Sequence, residues 1–94
     1  MSSRLKQIIN DPNNFHKYKG IIKANSKNHL KQLIQIGYKL FGNNGNFNWI
    51  DTSEITNMSS LFDNISDFNG HIELWDVSNV TNMHAMFFVA SEFN

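Results

Sequence analysis

Cysteine is absent from the 94 residues, which excludes disulfide cross-links and thiolate metal sites. A fold this small must then be held by packing and hydrogen bonds alone. Proline occurs once, at Pro12. The N-terminal run MSSRLKQIINDPNN lacks the ~7–15-residue apolar core of a signal peptide, and no stretch approaches the ~18 apolar residues of a membrane span. The expectation is a cytoplasmic chain, or a cell-surface one if it is a fragment of a longer exported protein. Acidic side chains are nearly missing from the first half, where Asp11 stands alone against Arg4, Lys6, Lys17, Lys19, Lys23, Lys27, Lys31 and Lys39. From Asp51 onward the scarcity reverses: Asp51, Glu54, Asp63, Asp67, Glu73, Asp76 and Glu92 meet no lysine or arginine. The formal net charge of +0 therefore conceals two halves of opposite sign.

The remaining pattern is dominated by an internal repeat. DTSEITNMSSLFDNISDFN (51–69) aligns without a gap on DVSNVTNMHAMFFVASEFN (76–94), a constant offset of 25 residues. Asp51 falls on Asp76, Thr56 on Thr81, Asn57 on Asn82, Met58 on Met83, Phe62 on Phe87 and Phe68 on Phe93. A fixed period in this range is the mark of stacked repeats. Met58, Leu61, Phe62 and Ile65 have the spacing of one helix face, as do Met83, Met86, Phe87 and Ala90, which predicts helical turns at 57–64 and 82–90. Extended segments are predicted at 47–51 and 72–77. Stacking would bring the Met and Phe pairs together as core rather than as a ligand pocket. Asp51 and Asp76 would each bond the backbone two residues on, and Asn57 and Asn82 would satisfy turn groups.

Ahead of the repeats, Leu5, Ile8 and Ile9 predict a short helix over 3–10, ended by Asp11-Pro12. A weak strand is predicted at 18–24 through Ile21 and Ile22. The second helix, Asn28–Phe41, has N-cap candidates in Asn25-Ser26-Lys27-Asn28 and a terminating glycine in Gly42. Its Gly37 lowers helix stability by ~1 kcal/mol relative to alanine, so a close packing contact is expected there. Residues 1–46 are expected to form a helical cap and 47–94 two repeats, the second incomplete at the C-terminus.

The usual catalytic and metal patterns find no support. His16, His29, His71 and His84 lack zinc-ligand spacing, and no phosphate-binding loop or nucleophile motif occurs. No cofactor, metal or catalytic residue is therefore assigned, and the chain is expected not to be an enzyme. The dispersed lysines make nucleic acid a minor alternative.

The stretch Trp75-Asp76-Val77-Ser78-Asn79-Val80-Thr81-Asn82-Met83, followed by Met86-Phe87, resembles the BspA-type leucine-rich-repeat proteins of bacteria, which share their repeat with mycoplasma-type lipoproteins. The resemblance covers Phe47–Asn94. It implies an α/β solenoid of about two 25-residue repeats, with parallel short strands and short helices behind the helical cap. It also implies a non-catalytic protein-interaction module of the surface type, linked to adhesion. His71 stands where that family tends to have Asp, and Ile50 occupies a Trp position. Candidate partner-binding positions are Glu54, Ser59, His71, Glu73, Asn79 and His84. The partner would be a protein, or a second copy meeting an uncapped C-terminal repeat. A truncated array without independent function and a basic nucleic-acid-binding cap are the other readings.

Overall fold

The computed structural model describes residues 3–62, 65 and 67–83. Helix α1 (Ser3–Asn10) leads through a 3-10 turn (Pro12–Asn14) to strand β1 (Ile22–Lys23), helix α2 (Lys27–Phe41) and strand β2 (Ile50–Asp51). Asp11 opens the 3-10 turn, its side chain accepting from the Asn13 N–H. The α2 helix starts where local chemistry dictates: Ser26 Oγ accepts from the His29 N–H (3.1 Å), and His29 Nδ1 accepts from the Asn25 N–H (3.0 Å). It stops at Gly42, whose φ of 80° lies in the left-handed region and whose N–H donates to Tyr38 O.

β1, α2 and β2 form a parallel crossover, with Ile22 opposite Ile50 and Lys23 opposite Asp51. Residues 45–57 are joined in turn to the chain 25 residues on. Asn46 bridges to His71 and Asn57 to Asn82, both in parallel sense. Side chains extend this connection: Thr52 Oγ1 donates to Asp76 O (3.0 Å), the Leu74 N–H donates to Asn48 Oδ1 (2.9 Å), and Asn79 Nδ2 donates to Ser53 O (2.7 Å).

The described residues do not form the expected leucine-rich-repeat-like solenoid. They contain two helices and a two-stranded parallel sheet that remains open, and the alignment of 51–58 with 76–83 yields the single bridge Asn57–Asn82 rather than a repeat array. The helix expected at 57–64 is absent over its described part, because Ser60 takes φ 54°, which no interior residue of a right-handed helix can hold. The extended segments shorten for a related reason. Backbone turns close from Ile50 N–H to Phe47 O, from Ile55 N–H to Thr52 O and from Trp75 N–H to Ile72 O. Asn46, Asp51, Asn57 and Asp76 each accept from the N–H two residues on, at 2.8–2.9 Å. These local bonds compete with strand and helix ladders, and here they prevail. Most of the segment expected as the second repeat helix, from residue 84, lies outside the described residues, as do Phe87 and Phe93.

Apolar spacing nevertheless finds its core. Met58, Leu61, Phe62, Ile65 and Phe68 are all buried, together with Leu30, Ile34 and Trp75. The ring of Phe62 stacks on Phe68 (centroids 4.1 Å apart), and Phe47 meets Phe68 edge-on at 5.0 Å. Phe47 also lies against two glycines. A Cβ on Gly37 would come within 2.7 Å of Phe47 Cε2 and 3.1 Å of Trp49 Cζ2, and a Cβ on Gly70 within 2.6 Å of Phe47 Cδ1. The two indoles are tied into the backbone: Trp49 Nε1 donates to Asn46 O and Trp75 Nε1 to Phe47 O, both at 2.8 Å.

Gly37→Ala is therefore expected to destabilise the protein. Overpacking of a confined core costs ~1–3 kcal/mol, more than the ~1 kcal/mol gained in helix propensity. Chemical denaturation should show the loss, and pairing the change with Phe47→Leu should give a double variant less destabilised than the sum of the two single changes.

Candidate functional site

Helix α2 carries more apolar residues than one buried face needs. Leu30, Ile34 and Gly37 face the core, while Leu33, Ile36 and Leu40, at i, i+3 and i+7, form a second stripe toward the flank. Opposite this stripe stand Ile9 of α1 and Ile21-Ile22 at β1, with Trp49 and Phe41 between them. The result is an open groove of about 270 Å³ whose lining is wholly aliphatic and aromatic. Three of its lining side chains are largely solvent-facing: Ile21 is 60% exposed, Ile36 50% and Ile22 44%. Exposed basic residues occur on the same three elements: Lys6 on α1, Lys23 on β1 and Lys39 on α2. α1 is held in place by Asn46, whose Nδ2 donates to Ile9 O (2.9 Å) and whose N–H donates to Asn10 Oδ1 (2.8 Å).

The sequence-selected positions lie elsewhere and have intramolecular partners. Glu54 is exposed and pairs with Lys23 at 3.0 Å. Ser59 accepts from Lys27 Nζ at 3.0 Å. The His71 and Glu73 side chains meet at 3.2 Å, and the His71 ring rests 5.0 Å from that of Phe15. Asn79 is exposed but spends its amide on Ser53 O. His84 lies outside the described residues. Of the structural positions, Thr56, Thr81 and Asn82 are exposed and Met83 is 46% exposed, whereas Met58, Phe62, Phe68 and Trp75 are buried.

The groove residues were missed because Ile36 sits outside the main apolar face of α2 and Ile21-Ile22 looked like an ordinary strand. The available signal was the excess of apolar positions on α2 over one face. Beside the groove, Lys19 borders a polar cleft floored by Asp51 and Asp76. The Ser53 N–H and hydroxyl, followed by Lys23, hold the Asp51 carboxyl below its ordinary range, against opposition from burial and from Asp76. The Ser78 hydroxyl and N–H, with Lys19, do the same for Asp76. Burial alone would raise Glu73, but its own N–H, His71 and Asn48 outweigh it and leave the carboxyl lowered. Tyr38 donates to both Asp67 carboxylate oxygens (2.9 and 3.1 Å), which keeps its hydroxyl protonated to higher pH than usual. Among the described residues, no three His, Cys, Asp or Glu side chains group as metal ligands, and no helix is long and apolar enough to cross a membrane.

Fold and groove together define a small α/β protein with an open parallel sheet and an apolar recess on its basic side. The chain belongs to the family described as "Mycoplasma protein of unknown function, DUF285", which it matches over residues 28–94, from the first turn of α2 to the last residue. No curated protein and no solved structure matches it.

Asp51 and Asp76 generate a pH dependence of known sign. Each carboxyl is lower in the folded chain than in the unfolded one. The stabilisation is complete above the unfolded pKa and is lost as pH falls through the folded one. Carbon-detected NMR titration should place both midpoints below the ordinary aspartate value. Asp51→Ala should destabilise the protein at neutral pH and converge on the parent below the folded midpoint.

Proposed function

We propose that this chain is a non-catalytic protein-interaction module whose contact surface includes the groove between α1, β1 and α2. The observation that carries the reading is the exposure of Ile21, Ile22 and Ile36 around a concave, wholly apolar lining. Apolar surface held open to water is favourably removed from it by another polypeptide's apolar side chains, at ~25 cal/mol per Å². Residues 1–46 supply every groove side chain except Trp49, so the basic cap provides the recess, and 47–94 carries most of the acidic side chains. The polar positions Glu54, His71, Glu73 and Asn79, which lie outside the groove lining, would add separate contacts, each by exchanging an internal bond for one to the partner. The resemblance to BspA-type surface proteins supports a protein partner and favours a surface, adhesion-related setting.

A photoreactive benzoylphenylalanine at Ile36 tests this reading in cells that make the protein. Crosslinks to polypeptide are expected, and they should disappear when Ile21→Asp is added. Crosslinks confined to lipid or nucleic acid, or polypeptide adducts indifferent to Ile21→Asp, would overturn it.

A further inference from the structure

The groove has an electrostatic counterpart within the same chain. Its elements carry Arg4, Lys6, Lys23, Lys27, Lys31 and Lys39, and no acid lies between Asp11 and Asp51. Glu54 already neutralises Lys23, which leaves the other five basic groups without ion pairs among the described residues. The chain from Glu73 to Met83 has the reverse character. It bears exposed Glu73 and Asp76, no lysine or arginine, and two solvent-facing apolar side chains, Val77 (40% exposed) and Met83 (46%).

Backbone bonding places these two surfaces at opposite edges of one set of parallel pairings. The N–H groups of Gly20, Ile22 and Ala24 donate to Asn48, Trp49 and Asp51. Those of the alternate residues Ile21 and Lys23 have no backbone partner among the described residues, so β1 presents a free edge beside the groove. Residues 46–51 lie between β1 and the run that begins at His71.

We infer that the occupant of the groove is a second copy of this chain, docked head to tail. The acidic run 73–83 of one molecule, with Val77 at its centre, meets the basic groove and free β1 edge of the next. This inference rests on the protein-interaction reading and names its partner. The contact joins two different surfaces, so it propagates head to tail unless the rotation between successive molecules closes it into a ring. Opposite charges set the orientation and speed the encounter, while the apolar contacts slow release. A groove-to-groove dimer would instead place like charges together.

Sedimentation of the whole chain over a concentration series provides the test. At low salt the mean mass is expected to rise with concentration. In about 1 M salt, where the screening length falls to ~3 Å, it should drop toward the monomer. Ile36→Asp spoils only the groove and Val77→Lys only the acidic run. Both positions are exposed, and circular dichroism should confirm that both variants fold. Each alone should stay monomeric, while their mixture should form a species of two chains and no larger one, from the one intact pair of surfaces. A parent protein that remains monomeric at low salt would overturn the inference, as would either variant assembling alone or a mixture that forms no dimer. A monomeric parent that binds phosphatidylserine vesicles through Ile36 would assign the groove to a membrane instead. A monomeric parent whose Ile36 crosslinks another polypeptide, with loss on Ile21→Asp, would remove the second copy but leave the protein-interaction reading intact.

Discussion

The ring of Phe47 is the contact on which the rest of the structure depends. It lies between Gly37 of α2 and Gly70 in the chain that follows, and it meets Phe68 edge-on. Neither glycine position has room for a methyl group. This close approach brings α2 against the pairings at 45–51 and allows Trp49 and Trp75 to reach backbone carbonyls from either side. In a domain with no disulfide, such packing must supply what a covalent link would otherwise provide.

Around that core the chain proceeds by turns. Asn and Asp side chains at 46, 51, 57 and 76 bind the N–H two residues on, and each bond bends the backbone before a strand or helix can lengthen. Backbone groups left over find partners across the 25-residue offset, through side chains such as Thr52, Asn48 and Asn79 as much as through the main chain. The sheet is consequently short and open. An open parallel sheet with a free outer strand has somewhere to add a neighbour, which a closed barrel lacks.

The groove follows from the same architecture. α2 must bury Leu30 and Ile34 against the aromatic core, and that orientation turns Ile36 outward. β1 pairs with β2 through alternate residues and leaves Ile21 and Ile22 on the flank. α1, fastened by Asn46, closes the third side. None of these elements is unusual alone. Their junction produces an apolar recess on the basic half of a chain whose other half is acidic.

Much of this was legible from the residues. Asn25-Ser26-Lys27-Asn28 bracketed the start of α2 and Gly42 marked its end because capping is local, Gly37 announced a close contact, and the charge division is a property of composition. The buried set Met58, Leu61, Phe62 and Ile65 was also readable, since apolar residues at regular spacing seek one core whatever the backbone does. The helix that this spacing implied was not. Met58, Leu61, Phe62 and Ile65 are buried without it, because the Asn57–Ser59 bond and the left-handed Ser60 set a different path. The groove, too, required the tertiary structure. Ile36, Ile21 and Ile9 are far apart in sequence, and no periodicity within one element states which apolar side chains another element will leave uncovered. Sequence by itself determined the end of α2, the buried set Met58, Leu61, Phe62 and Ile65, and the sign of each half, whereas Met83, expected in the core, is 46% exposed. Only folding decided which apolar surface remained open, because burial is settled by what packs against a residue and not by the residue alone.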